Sequence, residues 1–194
     1  MFLENSNLPI LEVNAGYPNS SLDIAKLEKM FVMRGKSGIL VLPNDEKLEL
    51  AASNAQFQGY SSLVVLEVKS EANDLIVEQV SWSQASTLAK VWCSQHSALG
   101  WQDLVAKEIA RAMQKNPNLL AYLAFENHQP MGMMIVAEPG FSGWLAGETE
   151  ALQALMHRLW SDFEQAAVAV PLDHASLLPK AREIERLSVW LKIR

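Results

Sequence analysis

Residues 119–136, LLAYLAFENHQPMGMMIV, decide the fold that the sequence predicts. Two apolar runs flank the polar break at residues 126–129, and this pattern predicts strand, turn and strand. The first run has almost no polar side chains, which is typical of a strand covered on both faces. Pro130 begins the second run, where no backbone donor is needed, and Gly132 indicates a bulge or a close backbone approach. We therefore expect this hairpin at the centre of a sheet.

The composition limits the class of protein to which that sheet can belong. The chain has 194 residues, of which 49% are hydrophobic, and its net charge is −6. A chain of this length can bury a full core, either as one mixed domain or as two small lobes. The acidic balance argues against a nucleic-acid partner, because binding to a phosphate backbone needs a basic surface.

Three features of the sequence predict a cytoplasmic protein. Its single cysteine, Cys93, cannot form an internal disulfide. No run of roughly 18 apolar residues is present to span a bilayer, so we expect no membrane segment. The first residues, MFLENSNLPILEV, lack the basic start and the long apolar stretch of a signal peptide.

The first part of the chain alternates helices and strands. The apolar spacing and the turn residues predict a strand at residues 9–13, a helix capped by Ser20 or Ser21, a strand at 39–42, a helix at 45–54, a turn at 58–60 and a strand at 62–68. The polar stretch at residues 70–73 then provides the best boundary. We therefore expect two sections, residues 1–72 and residues 73–194.

The second section contains the hairpin and a longer series of elements. The pattern predicts a strand at residues 75–80, helices at 83–97 and 102–114, the hairpin, a strand at 141–146, an amphipathic helix at 149–165, a strand at 167–170, a helix at 175–182 and a strand at 187–193. The expected fold class is α+β, a mixed α/β protein with a central sheet flanked by helices.

One order of elements occurs twice along the chain. Helix, strand, proline, short helix and strand follow one another at residues 21–68 and again at residues 149–193, with ILVLPND in one copy and VAVPLDH in the other. An internal duplication predicts that residues 39–42 and 167–170 take comparable places in two half-sheets. The alternative is chance, because any alternating chain produces such matches.

From Leu75 onwards the order of elements resembles the GNAT superfamily of N-acetyltransferases. LLAYLAFENHQPMGMMIV is similar to the second and third strands of that family, FSGWLAG stands in the place of the fourth strand, and TEALQALMHRLW stands in the place of the helix beneath the cofactor. Residues 1–72 resemble the closing part of such a domain, with Gly59 and Tyr60 in the place of a Gly-aromatic pair. The resemblance implies a GNAT-like mixed sheet, divided into two half-domains.

The resemblance also implies that acetyl-CoA is the cofactor. Family members hold its pyrophosphate with backbone donors of a glycine-rich loop and with the positive end of the helix that follows. The cofactor-binding candidates are the matching residues of this chain, namely Trp144, Leu145, Ala146, Gly147 and Thr149.

This loop departs from the family pattern, which is Arg or Gln, two residues, Gly, one residue, then Gly or Ala. The segment LAGETEA at residues 145–151 matches that pattern only at Gly147, and the basic residue is missing. Glu148 and Glu150 already suit the positive end of the helix, and their charges would repel a diphosphate. The sequence therefore predicts weak binding of acetyl-CoA at this loop.

The catalytic candidates are Glu148 as a general base and His174 as an acid. An exposed carboxylate at a helix start and a solvated histidine in a turn are the structural alternatives. The late tyrosine of the family has no counterpart, since no tyrosine follows Tyr122 and residues 177–180 read LLPK. Cys93 is expected to be a small core residue rather than a nucleophile. The four histidines lack metal-ligand spacing, so we predict no metal site.

Two functions of different classes stay open. The chain is either an N-acetyltransferase acting on a small-molecule or peptide amine, or a catalytically degenerate relative that acts as a binding or regulatory module. A homodimer is compatible with both. For the degenerate relative, we predict that the rings of Trp144 and Phe141 fill part of the space that a pantetheine arm would need.

Overall fold

The computed structural model describes residues 2–8, 11–16, 18–34, 37–67, 72–96, 99–138, 141–163, 167–172, 175, 178 and 181–192. These residues belong to two compact units, Met1–Val64 with Glu185–Arg194, and Val65–Ile184. The boundary predicted between residues 72 and 73 divides two sections that each resemble part of one family's domain. That boundary stays a prediction.

The described elements form a mixed α+β fold, as predicted. In chain order they are β1 (Phe2–Leu8), β2 (Leu11–Gly16), α1 (Ser21–Arg34), β3 (Ser37–Pro43), α2 (Glu46–Asn54), β4 (Gln58–Glu67), β5 (Ile76–Val80), α3 (Ala85–Gln95), α4 (Gln102–Lys115), β6 (Leu120–Glu126), β7 (Gln129–Glu138), β8 (Phe141–Gly147), α5 (Thr149–Asp162), β9 (Ala167–Pro171) and β10 (Arg182–Lys192). Short 3-10 turns precede α3 and α4.

The first unit orders its strands β1-β2-β3-β10-β4. The pair β2 and β3 is parallel, whereas β1 with β2 and β3 with β10 are antiparallel. Its core is an apolar cluster contributed by both helices, by β3 and by the residue before β4: Ile24, Leu27, Phe31, Leu40, Leu42, Leu48, Ala52 and Phe57. The Ser20 hydroxyl accepts from the Asp23 N–H at 3.2 Å, so Ser20 is the cap of α1.

The second unit orders its strands β9-β8-β7-β6-β5. Neighbours from β5 to β8 are antiparallel, and the pair β8 and β9 is parallel. Alternate residues of β6 face opposite sides of the sheet. Leu123 lies in the core cluster with α3 and α4, while the next residue towards the N-terminus, Tyr122, contacts α5 through Asp162. Helices α3 and α4 therefore cover one face, and α5 covers the other.

The central hairpin is confirmed in detail. Asn127 and His128 have φ values of 47° and 65°, as a two-residue turn with both central residues left-handed requires. Ala124 lies opposite Gly132 and Phe125 lies opposite Pro130, so one extra residue bulges out of β7. The β6 side chains from residue 121 to residue 124 are all buried, as expected for a strand covered on both faces.

One prediction in the first section is wrong, and one strand was not predicted. Gln58–Tyr60 was expected to be a turn, yet it begins the strand β4. A side chain at Gly59 would meet no atom within 4 Å, so this glycine is a strand residue that no close contact requires. The strand β1 was not predicted, because FLENSNL has no clear alternation. The strand predicted at residues 9–13 is confirmed from Leu11 as β2, and residues 9 and 10 lie outside the described residues.

Two predictions in the second section need correction as well. Helix α5 ends at Asp162 rather than at residue 165, because Phe163 has an extended backbone with φ −135° and ψ 142°. The helix expected at residues 175–182 is wrong at its end, where Arg182 begins β10. Most of that segment lies outside the described residues.

Candidate active site

The strands β8 and β9 separate just before helix α5. Their parallel pairing places Phe141 opposite Ala167 and Ser142 opposite Val168, and among the described residues it stops there. The next residues of β8 run on to Gly147, where the chain enters α5. An opening of this kind leaves backbone groups along one strand edge without strand partners, and such groups need another partner. This is the place where the sequence predicted the cofactor.

Two glycines bring β7, β8 and α5 into close contact at the end of this opening. A Cβ on Gly132 would lie 2.8 Å from the Ala151 Cβ, and a Cβ on Gly147 would lie 2.7 Å from the Gly132 Cα. Gly147 also has a φ of 154°, a backbone angle that residues other than glycine rarely adopt. The close approach predicted at Gly132 is therefore confirmed, and it fixes where α5 starts.

A buried serine occupies the irregular part of β8. The pairing of β7 with β8 shifts between Ile135 and Val136, so that Trp144 and Ser142 face consecutive residues of β7. The Ser142 hydroxyl donates to the Ile135 carbonyl oxygen at 2.8 Å and accepts from the Trp144 N–H at 3.4 Å. This side chain therefore supplies partners to backbone groups that the bulge leaves without a regular ladder bond.

Trp144 is half-buried on the α3 face of the sheet. Its ring lies 5.6 Å from the ring of Trp92, centroid to centroid, and Trp92 in turn lies 4.4 Å from His96. These three rings form a row of tilted ring contacts from β8 to the end of α3. Trp144 therefore lies beside the opening. Its overlap with a pantetheine arm stays a prediction. The side chain of Phe141 lies outside the described residues.

The remaining cofactor candidates follow directly along the chain. Leu145 is half-buried, Ala146 is buried, and Thr149 is exposed as the first residue of α5. Their backbone groups lie at the end of β8 and in the first turn of the helix, where amide N–H groups have no partner within the helix. A phosphate or a carbonyl oxygen is the kind of group that such donors bind.

The first turn of α5 carries negative rather than positive side chains. Glu148 occupies the N-cap position but makes no side-chain cap bond, and Glu150 follows in the first turn. Both side chains are exposed. The Asn73 amide donates to the Glu150 carbonyl oxygen at 2.8 Å, so the residues before β5 also contact this turn. The charge pattern agrees with the electrostatic argument made from the sequence.

Of the two candidate catalytic residues, Glu148 lies in the described part of the chain. It is the N-cap residue of α5 and is exposed to solvent. His174 lies outside the described residues. Cys93 is fully buried, and burial raises the pKa of its thiol, which disfavours the reactive thiolate. Cys93 is thus a core residue, as predicted.

A polar cluster at the other end of α5 was missed by the sequence reasoning. The buried Tyr122 hydroxyl donates to the Asp162 Oδ2 at 2.9 Å, and the Arg158 Nε donates to the same oxygen at 2.8 Å. Burial raises the pKa of Tyr122 to about 12, with the Asp162 carboxylate as the second cause. The available signal was the Tyr122 hydroxyl, the one polar side-chain group in the apolar run at residues 120–125.

Two further classes of site find no support in the described part of the chain. No group of three or more His, Cys, Asp or Glu residues there is arranged to hold a metal ion. Among the helices described, none is both long enough and apolar enough to cross a bilayer.

Comparisons with known proteins identify the fold through structure alone. No protein-family model and no curated protein matches the sequence. A GCN5-related N-acetyltransferase from Kribbella flavida is similar over 92% of this chain and 81% of its own, with a TM-score of 0.65 and 8% identity. A conserved protein of unknown function from Staphylococcus epidermidis is similar over 94% of this chain and 84% of its own, with a TM-score of 0.61 and 16% identity.

A third solved structure is a tandem GNAT protein from the clavulanic acid biosynthesis pathway. It is similar over 86% of this chain and 67% of its own, with a TM-score of 0.52 and 11% identity. At these identities the likeness extends to the fold and not to the chemistry. The chain has the fold of the GNAT superfamily, as the order of its elements predicted.

Proposed function

We propose that this protein is an acetyltransferase that binds acetyl-CoA at the opening between β8 and β9 and transfers the acetyl group to an amine. The observation that carries the proposal is the end of the β8–β9 pairing at Ser142 and Val168, directly before the close-packed start of α5. A strand edge and a helix N-terminus then present backbone donors side by side. These donors suit a pantetheine amide and a pyrophosphate respectively.

The residues with roles in this proposal are few. Trp144, Leu145 and Ala146 would contact the pantetheine arm through backbone groups, and Gly147 with Thr149 would face the pyrophosphate. When bound, acetyl-CoA supplies the activated acetyl group. Glu148, which is exposed at the start of α5, is the candidate base for the incoming ammonium group of the acceptor. The exposed acidic turn suits a cationic acceptor while it weakens an anionic cofactor.

A second candidate function is a binding or regulatory module that kept the fold without the chemistry. Two observations favour it. Glu148 and Glu150 place negative charge where the diphosphate would lie. The Ser142 hydroxyl already accepts from the Trp144 N–H, one of the donors that a pantetheine arm would use. A cytoplasmic location and a homodimer are compatible with either function.

The experiment that separates these functions is a titration with acetyl-CoA followed by an assay of free CoA. A ligand at about 100 times its dissociation constant stabilises a protein by roughly 2.7 kcal/mol, which raises the melting temperature clearly. A rise in melting temperature, with CoA released only when a polyamine, a lysine peptide or an aromatic amine is added, supports the acetyltransferase. A rise without any release supports the binding module. No rise at millimolar acetyl-CoA contradicts the acetyltransferase and favours the module that kept the fold without the chemistry.

A further inference from the structure

A cavity of about 180 Å³ lies on the α5 face of the second unit, apart from the opening between β8 and β9. It is lined by residues before and within β5 and by the middle of α5: Asn73, Leu75, Val77, Ala154, His157 and Arg158. This volume is below the roughly 300 Å³ at which typical ligand pockets begin, so only a small molecule fits.

The chemistry of the lining is divided. Leu75 and Val77 are half-buried, and Ala154 is buried, so one part of the wall is aliphatic. Arg158, His157 and Asn73 are the polar residues of the remaining part, and the Asn73 amide already donates to the Glu150 carbonyl oxygen. A wall of this kind suits a molecule with a short apolar chain and one polar head.

Arg158 is held in place by its neighbours. Its Nε donates to the Asp162 Oδ2 at 2.8 Å, and the same carboxylate oxygen accepts from the Tyr122 hydroxyl at 2.9 Å. The guanidinium carbon also lies 5.6 Å from the centre of the Tyr122 ring. These contacts fix the plane of the guanidinium, so less side-chain entropy is lost when a further group binds.

The two terminal nitrogens of Arg158 remain available. Neither of them makes a hydrogen bond with the described residues, whereas the Nε donates to Asp162. A guanidinium presents its donors in a planar fork that matches a carboxylate better than a single point charge does. Asp162 offsets much of the positive charge, so recognition here depends on hydrogen-bond geometry and on the aliphatic wall.

We propose that this cavity binds a short-chain aliphatic carboxylate, with its carboxylate on the terminal nitrogens of Arg158 and its chain against Leu75, Val77 and Ala154. The site is separate from the proposed acetyl-CoA site and does not depend on it. Binding in the millimolar range is expected, because the molecule is small and the guanidinium is already paired on one side.

The test is a nuclear magnetic resonance titration of the intact chain with sodium butyrate. Saturable shifts of the backbone amides at residues 73–77 and 154–158 are expected. Butanamide, which has the same shape without the charge, should bind at least about tenfold more weakly, as expected when a charge-assisted hydrogen bond is lost. Inorganic phosphate should give no saturable shift at these amides, since it has no chain to bury. Saturation by phosphate at the same amides would overturn the carboxylate assignment.

Matched variants separate the site from general charge effects. Arg158→Gln should weaken butyrate binding about tenfold or more, whereas Arg111→Gln, on the exposed face of α4, should leave it unchanged. Both changes remove one helical arginine paired to a carboxylate within the same helix. Leu75→Ala keeps the polar cluster and should weaken butyrate more than acetate. The proposal is overturned if butyrate produces no saturable shift, or if Arg111→Gln weakens binding as much as Arg158→Gln.

Discussion

The two ends of helix α5 differ in how their polar groups are partnered. At the C-terminal end, the Asp162 carboxylate accepts from both Tyr122 and Arg158, and its helix is thereby tied to β6. At the N-terminal end, Glu148 and Glu150 are exposed beside the strand opening, and the Glu148 side chain makes no cap bond. One end is held by side-chain hydrogen bonds, whereas the first-turn N–H groups at the other end have no partner within the helix. The difference supports a ligand site at the N-terminal end.

The largest effect is expected where α5 is fixed to the sheet. Gly147→Ala would place a Cβ 2.7 Å from the Gly132 Cα and 2.9 Å from the Met131 carbonyl oxygen, in a backbone conformation that alanine rarely adopts. Overpacking and backbone strain together should lower the free energy of unfolding by about 2 to 5 kcal/mol. Urea unfolding measures the change.

The control for that variant is Gly100→Ala. A Cβ at Gly100 would meet no atom within 4 Å, so the expected change is within about 0.5 kcal/mol. Equal destabilisation by the two variants would mean that the contact between Gly147 and β7 does not anchor α5.

A smaller effect is expected at the C-terminal end of α5. Tyr122→Phe removes the hydroxyl bond to Asp162, which keeps Arg158 as a partner, so the free energy of unfolding should fall by about 1 to 2 kcal/mol. Tyr60→Phe, at a tyrosine that is 70% exposed, should change it by less than about 0.5 kcal/mol. A loss at Tyr60 as large as that at Tyr122 would contradict the role of the cluster.

The same cluster predicts a dependence on alkaline pH. The pKa of Tyr122 is raised from 10 to about 12, so the folded state favours the neutral phenol. The resulting stability is fully present below pH 10 and is lost as the pH rises towards 12. The difference in unfolding free energy between the wild type and Tyr122→Phe should therefore shrink across this range. A constant difference would show that Tyr122 does not titrate in this way.

The smallest effect is expected at the N-terminal end of α5. Glu148→Gln with Glu150→Gln removes two like charges from the proposed diphosphate position, and acetyl-CoA should bind about three- to tenfold more tightly. Glu78→Gln with Glu126→Gln makes the same change in net charge at exposed positions elsewhere in the unit. Calorimetry on both double variants checks the argument. Equal gains would attribute the effect to net charge rather than to the first turn of α5.

The sequence predicted the elements that depend on local patterns. The hairpin was readable because apolar runs, a polar turn, Pro130 and Gly132 all indicate the same structure. The strand β1 was not readable, since FLENSNL has no clear apolar alternation and its pairing with β2 is not visible in a local pattern. The last predicted helix failed at Arg182, whose place in β10 depends on partners distant in sequence.

The candidate site was predictable in position and only partly in chemistry. The loop at Gly147 could be placed from the glycine and the helix that follows. The roles of Ser142 and Tyr122 could not, because both act through partners that the fold brings together. The Tyr122 hydroxyl in an apolar run indicates a buried polar group but not its partner, and Ser142 looks like an ordinary strand residue in the sequence.

The most direct test of the central claim is amide hydrogen exchange of the second unit with and without acetyl-CoA. First-turn amides of a helix lack intrahelical partners and exchange quickly unless a ligand accepts from them. We predict slower exchange at residues 144–146 and 149–151, with no change at residues 157–162 at the C-terminal end of α5. Slower exchange confined to other residues, or none at saturating acetyl-CoA, would contradict the assignment of this opening as the cofactor site.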